Sequence, residues 1–128
     1  MARYAKVTYD DALDFAHIQY LPVVLEKPAD VAAFASEIDA VMSKLGRKVD
    51  IIVDLGELVV KPAAVAKYDE ERLRMFGAYA KRAYRYHGSA LVRTRILTSS
   101  TLHDQRANVH ASFEQARAAL LADRKRSS

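Results

Sequence analysis

Apolar positions along this chain change period several times, and each change marks an element. Around Asp10-Asp11, residues 3–8 and 13–20 alternate apolar and polar, imperfectly, as the two strands of a hairpin do. Leu13, Phe15 and His17 on one side, with Ala16, Ile18 and Tyr20 on the other, predict that the second strand is covered on both faces over part of its length. Leu21 to Leu25 is apolar but contains Pro22, which predicts a connection with limited strand character. From Val31 the period becomes helical: Val31, Phe34, Ala35, Ile38, Val41, Met42 and Leu45 form one stripe. Pro28 suits the first turn of that helix, Asp30 suits the positive end of its dipole, and Gly46 suits the left-handed position beyond its end.

The run Val49-Asp-Ile-Ile-Val-Asp-Leu55 is β-branched and apolar at consecutive positions, the pattern of a strand buried on both faces. Pro62 then sits where a helix would begin, and the spacing predicts a second helix from Pro62 to about Tyr84. Leu73, Phe76, Ala80 and Ala83 would point inward, with Val65 and Tyr68 near its start, and Lys67, Asp69, Glu70, Glu71, Arg74 and Lys81 outward. Both helices open with the string Lys-Pro-Ala-x-Val-Ala-x-aromatic, at Lys27 to Phe34 and Lys61 to Tyr68. A helical repeat protein would show such a period, but the segment between the copies reads as a strand and there is no third copy. Gly88 to Ile96 predicts another strand, Thr98 to about Ala107 a capped short helix, and Asn108 to Ala111 a short strand. Ser112 with Gln115 predicts a capping box for a last helix bearing Phe113, Ala116, Leu120 and Leu121 on one face. The order is ββαβαβαβα. It predicts an α/β fold with a mostly parallel sheet, an N-terminal β-hairpin and crossover helices.

Composition narrows the function classes. A chain of 128 residues, 51% hydrophobic and 28% charged, is of single-domain length and globular composition. Residues 1–123 read as the domain, and Arg124-Lys-Arg126 with Ser127-Ser128 as a solvated basic tail. The absence of cysteine excludes disulfides, thiolate metal sites and thiol catalysis. The first residues have no apolar core of signal-peptide length, and no apolar run approaches a membrane span, so a cytoplasmic protein is expected. Charge is uneven: 6 Lys/Arg against 10 Asp/Glu in residues 1–60, and 14 against 6 in residues 61–128. A basic half can serve nucleic acid, a membrane surface, an acidic protein or the acidic half of a second copy. With interspersed acids and no nucleic-acid-binding signature, no nucleic-acid role is expected.

The segments Ile-Ile-Val-Asp-Leu (51–55) and Ala-Ser-Phe-Glu-Gln-Ala (111–116), set in this element order, resemble the STAS family, the anti-sigma-factor-antagonist-like domains. The resemblance implies a STAS-like fold and a role as a partner of regulatory proteins. In phosphorylated members, an Asp-Ser-Ser/Thr-Gly start to the second helix carries the phosphoacceptor serine. The matching place here reads Lys61-Pro62-Ala63-Ala64 and has no hydroxyl, so the resemblance does not carry over that switch.

Few residues suggest catalysis. His17, His87, His103 and His110 lack metal-ligand spacing, and His17, within a strand, reads as a hydrogen-bonded, half-buried ring. Asp54 ends the buried strand, at the edge where parallel sheets bind ligands. It reads first as a turn acceptor for the 56–58 backbone and second as a catalytic or magnesium-binding carboxylate. The serines have capping or turn explanations, and there is no nucleophile elbow or glycine-rich phosphate loop. Tyr79 to His87 interleaves aromatics with cations and reads as a cation-rich helix end.

The expected function is therefore a non-enzymatic interaction domain, binding a protein partner or a second copy, without cofactor or metal. Its expected contact surface is Leu58, Val59 and Val60 as apolar anchors, with Lys61 and Tyr68 as rim. The alternative is a small-molecule or lipid-binding α/β domain, with Leu21 to Leu25 lining the pocket. An enzyme using Asp54 with a histidine is third.

Overall fold

The strongest sequence signal, the doubly apolar run 49–54, becomes the middle strand of the sheet. In the computed structural model, which describes residues 3–87 and 109–127, the elements are β1 (Ala5–Asp10), β2 (Phe15–Tyr20), β3 (Val24–Leu25), α1 (Pro28–Met42), β4 (Val49–Asp54), β5 (Val59–Val60), α2 (Val65–Tyr79), β6 (Ala80–Tyr86), β7 (Val109–His110) and α3 (Phe113–Ser127). Among the described residues the fold is α/β, with a mixed five-stranded sheet in the order β1-β2-β4-β6-β7 and three α-helices. β1 and β2 are the antiparallel hairpin, with Ala5 opposite Tyr20 and Asp10 opposite Phe15. β2, β4, β6 and β7 run parallel. β3 and β5 form a separate two-stranded parallel ribbon.

Two apolar layers explain why β4 shows no alternation. Ile51 and Val53 join Val31, Phe34, Ile38, Met42 and Tyr68 in a core beneath α1 and α2. Ile52 joins Phe15, Tyr84, Tyr86, Ala116 and Leu120 in a second core beneath α3. A parallel strand covered on both faces has no polar side to display.

Local chemistry sets the helix ends. The Asp30 carboxylate accepts hydrogen bonds from the Glu26 and Lys27 backbone N–H groups at 2.9 and 3.2 Å, closing the start of α1 behind Pro28. A 3-10 turn, Ser43–Leu45, extends α1, and Gly46 follows at φ +69°. At α3 half of the expected box forms: Ser112 Oγ accepts from Gln115 N–H at 3.2 Å, while Gln115 Oε1 accepts from the N–H of Ala111, one residue before the cap, at 3.1 Å. The twin strings diverge. Lys27-Pro28 opens α1 directly, whereas Pro62–Ala64 forms a 3-10 turn before α2. Their aromatics, Phe34 and Tyr68, are both buried, with ring centres 6.4 Å apart.

α1 and α2 are clasped through one carboxylate. Arg74 of α2 donates to both Asp39 oxygens at 2.8 and 3.3 Å, and Tyr79 donates to the same group at 2.5 Å. Burial alone would raise the Asp39 pKa, but the hydrogen bonds from Arg74 and Tyr79 outweigh it and hold the carboxyl below its usual range.

Four expectations are corrected. The second helix stops at Tyr79, not near Tyr84, and residues 80–86 are a strand. The helical spacing ran on by coincidence: an irregularity in the β4–β6 register puts Ala80 and Ala83 on the same side as Ile51, as a helix would. The Tyr79 to His87 stretch is therefore not a helix end, and Tyr84, Arg85 and Tyr86 lie buried in the sheet. Val41 and Leu121, at the margins of their stripes, are exposed. The basic 124–126 segment continues α3 rather than trailing into solvent, and Arg124 reaches the buried Asp50 at 2.9 Å. The strand expected at 88–96 and the helix expected at 98–107 lie outside the described residues.

Candidate functional site

β4 and β6 run parallel and end together, so Asp54 lies beside Tyr86, and Leu55 N–H donates to the Tyr86 carbonyl at 3.0 Å. The chain turns immediately. Gly56 adopts φ +53°, and a Cβ there would lie 2.8 Å from the Tyr20 carbonyl oxygen, so only glycine fits. Asp54 Oδ1 accepts from Gly56 N–H at 2.9 Å, the turn role expected from the sequence. The same oxygen meets His87 Nδ1 at 3.1 Å. His87, at the end of β6, has φ +59°, a strained value for a residue with a Cβ.

A second histidine closes the cluster. His17 of β2 points to the α3 side, with Nε2 2.7 Å from the Tyr86 hydroxyl and its ring 4.7 Å from that of Phe113. Burial lowers the His17 pKa, so the ring is neutral at pH 7. Burial also raises the Tyr86 pKa, and the Asp54 charge and hydrogen bond push it further. The Tyr86 hydroxyl therefore shares a hydrogen bond with His17 Nε2 while it feels the Asp54 charge. Sequence reasoning considered Asp54 with a histidine but had no signal for the Tyr86 link between His17 and Asp54. Asp54 Oδ1 serves the turn and His87 at once. Among the described residues no group of three His, Asp or Glu side chains is placed to hold a metal ion.

Beyond the turn lies the β3–β5 ribbon, where the expected contact surface falls. Leu58 is 1% exposed and Tyr68 2%; both belong to the core beneath α1 and α2, so neither is a surface anchor. Leu58 turns inward because its loop must plug that end of the core, and Tyr68 because it faces Phe34 across the helix pair. Val60 is half-buried, and Lys61 is exposed. Val59 is 41% exposed and pairs across the ribbon with Val24, which is 48% exposed. Val24 was missed because Pro22 made its neighbourhood read as a connection.

A further cluster lies between the sheet and the α1–α2 layer. A cavity of about 50 Å³ is lined on the sheet side by Ile18, Ile51 and Val53, on the helix side by Met42, Met75 and Phe76, and by Arg72 and Arg85. Leu21 to Leu25 does not line it. Both arginines are buried, as are the Tyr20 and Tyr68 hydroxyls near them. Burial pushes Arg85 down to about 10, and the neighbouring Arg72 charge adds to the shift. Burial likewise raises Tyr20 and Tyr68. Sequence reasoning missed this cluster, because no periodic pattern marks an arginine as buried.

No helix among the described residues is long and apolar enough to cross a membrane. No protein-family model matches this chain, and no curated protein matches it.

Proposed function

We propose that this chain is a STAS-like, non-enzymatic regulatory domain that acts in the cytoplasm by binding another protein at the β3–β5 edge. One observation carries the reading. Val24 and Val59, paired across a two-residue ribbon, are held outward side by side while Leu25 and Leu58 anchor the ribbon from beneath. A single exposed valine is ordinary, but two fixed together form a preorganised apolar contact. Exposed Pro22 extends the patch, and Lys61 and Glu57 supply a charged rim.

The occupant that fits is a transient protein partner presenting apolar side chains of its own. Stable interfaces bury roughly 800 Å² on each partner, far more than two valines and their rim offer, which disfavours an obligate dimer built on this patch. The antiparallel hairpin entering a parallel sheet with crossover helices supports the STAS-like reading. The start of α2 bears Pro62, Ala63 and Ala64, so binding here is constitutive and not gated by phosphate. A second reading, a small-molecule or lipid-binding domain, is favoured by the arginine-lined cavity.

The test is a Val24→Asp/Val59→Asp double variant. Its urea midpoint should match the wild type, while crosslinking in the native host should lose a partner that the wild-type chain captures. Capture of the same partner in equal yield by the variant would overturn the proposal. A wild-type dimer in light scattering that the variant abolishes would replace the partner with a second copy.

A further inference from the structure

Arg85 is 5% exposed and lines a mostly apolar cavity. No described residue offers it a hydrogen-bond acceptor or a carboxylate; the groups that act on it are Arg72, Tyr20 and Tyr68. A buried cation is strongly unfavourable unless an anion or several acceptors compensate it, and a second guanidinium nearby increases the penalty. The Tyr68 hydroxyl, also buried, has the Tyr20 hydroxyl as its one close polar neighbour among these groups and no well-formed hydrogen bond. An anion beside these groups would satisfy the donors and neutralise the charge in one step.

We propose that this cavity is a binding site for a small organic carboxylate, its head on Arg85 and its short apolar tail among Met42, Met75 and Phe76. Size and lining select that class. A volume of about 50 Å³ exceeds the roughly 10–15 Å³ that one water occupies on this measure, and its walls are mostly hydrocarbon. An inorganic anion would leave those walls unfilled, and a neutral molecule would leave Arg85 uncompensated. The two methionines are flexible and polarisable, so the tail space can lengthen by rotamer changes without moving a helix. The inference rests on the cavity alone and is independent of the ribbon contact.

The probes are sodium butyrate and sodium hexanoate, with 1-butanol as the neutral counterpart. They are titrated into the full chain, with methyl NMR of its three methionines as the readout. The Met42 and Met75 methyls should shift and saturate with either acid, and 1-butanol should bind at least tenfold more weakly. Arg85→Met, which keeps the stem and removes the charge, should abolish the acid-induced shifts and should be at least as stable as the wild type in urea. Failure of both acids to move Met42 and Met75 would overturn the proposal. So would equal binding of 1-butanol, or acid binding undiminished in Arg85→Met. If Arg85→Met does not fold, the wild-type comparison of butyrate with 1-butanol decides the matter by itself.

Discussion

Arg124 gives the sharpest test of how α3 is held to the sheet. A solvated basic tail predicts that Arg124→Ala changes stability by no more than about 0.5 kcal/mol, as exposed substitutions do. The structure predicts a much larger loss. Arg124 Nε and Nη2 reach Asp50 Oδ2 at 3.0 and 2.9 Å, and the same guanidinium donates to the carbonyls of Leu13 and Asp14 in the hairpin turn. The Asp50 side chain is only 5% exposed, and its other oxygen has no hydrogen-bond partner. Removing Arg124 would therefore strand a buried carboxylate and two carbonyl groups. Breaking a buried pair costs about 3–5 kcal/mol, and because Arg124 is 30% exposed, water can replace some of its bonds, giving about 2–4 kcal/mol here. At this chain length each kcal/mol lowers Tm by roughly 3–5 °C, so a fall of about 10 °C is expected. Urea unfolding with an unchanged slope would give the energy directly. Asp50→Asn in the Arg124→Ala background should recover part of the loss, because the stranded group is then uncharged. A loss below about 0.5 kcal/mol for Arg124→Ala would refute the reasoning and return residue 124 to the solvent.

Two further outcomes are expected. Gly56→Ala should cost about 1–3 kcal/mol, because it combines a positive φ with a clash at the Tyr20 carbonyl oxygen; a urea midpoint equal to wild type would contradict the turn geometry. The His17 pKa is lowered by burial from an ordinary value near 6.5, so the unfolded chain takes up its proton first as pH falls. Stability from His17 is thus complete above that value and is lost as pH drops through the folded pKa. Wild-type urea midpoints should decline below about pH 6.5, and His17→Gln should flatten the decline, whereas parallel slopes for the two proteins would count against it.

The parts of the fold legible in sequence were those where one period dominates over many residues. The α1 stripe was readable because Val31, Phe34, Ala35, Ile38 and Met42 all face one core. The β4 run was readable because both its faces are covered. What misled the reading was local coincidence. Phe76, Ala80 and Ala83 keep helical spacing across the boundary between α2 and β6, and only the register irregularity shows that Ala80 and Ala83 share a sheet face. At the contact edge, apolarity at 58–60 was visible, but which residues face out depends on the ribbon pairing with β3. That pairing is set by long-range hydrogen bonds, such as Val59 N–H to the Val23 carbonyl at 3.0 Å, which no short pattern encodes. The convergence of His17, Asp54, Tyr86 and His87 is likewise a product of strand order, drawn from residues up to 70 apart in the chain.

The Asp39 clasp has a mechanical consequence. Because one carboxylate on α1 grips both a guanidinium and a phenol of α2, the two helices behave as a single rigid roof over the sheet. A guest too large for the void beneath must reshape it by swinging the Met42 and Met75 tails, since prising the rafters apart would first mean releasing Arg74 and Tyr79 together. Neutralising that acid with Asp39→Asn would therefore loosen the roof, free the Tyr79 side of the chamber wall and widen the range of guests admitted.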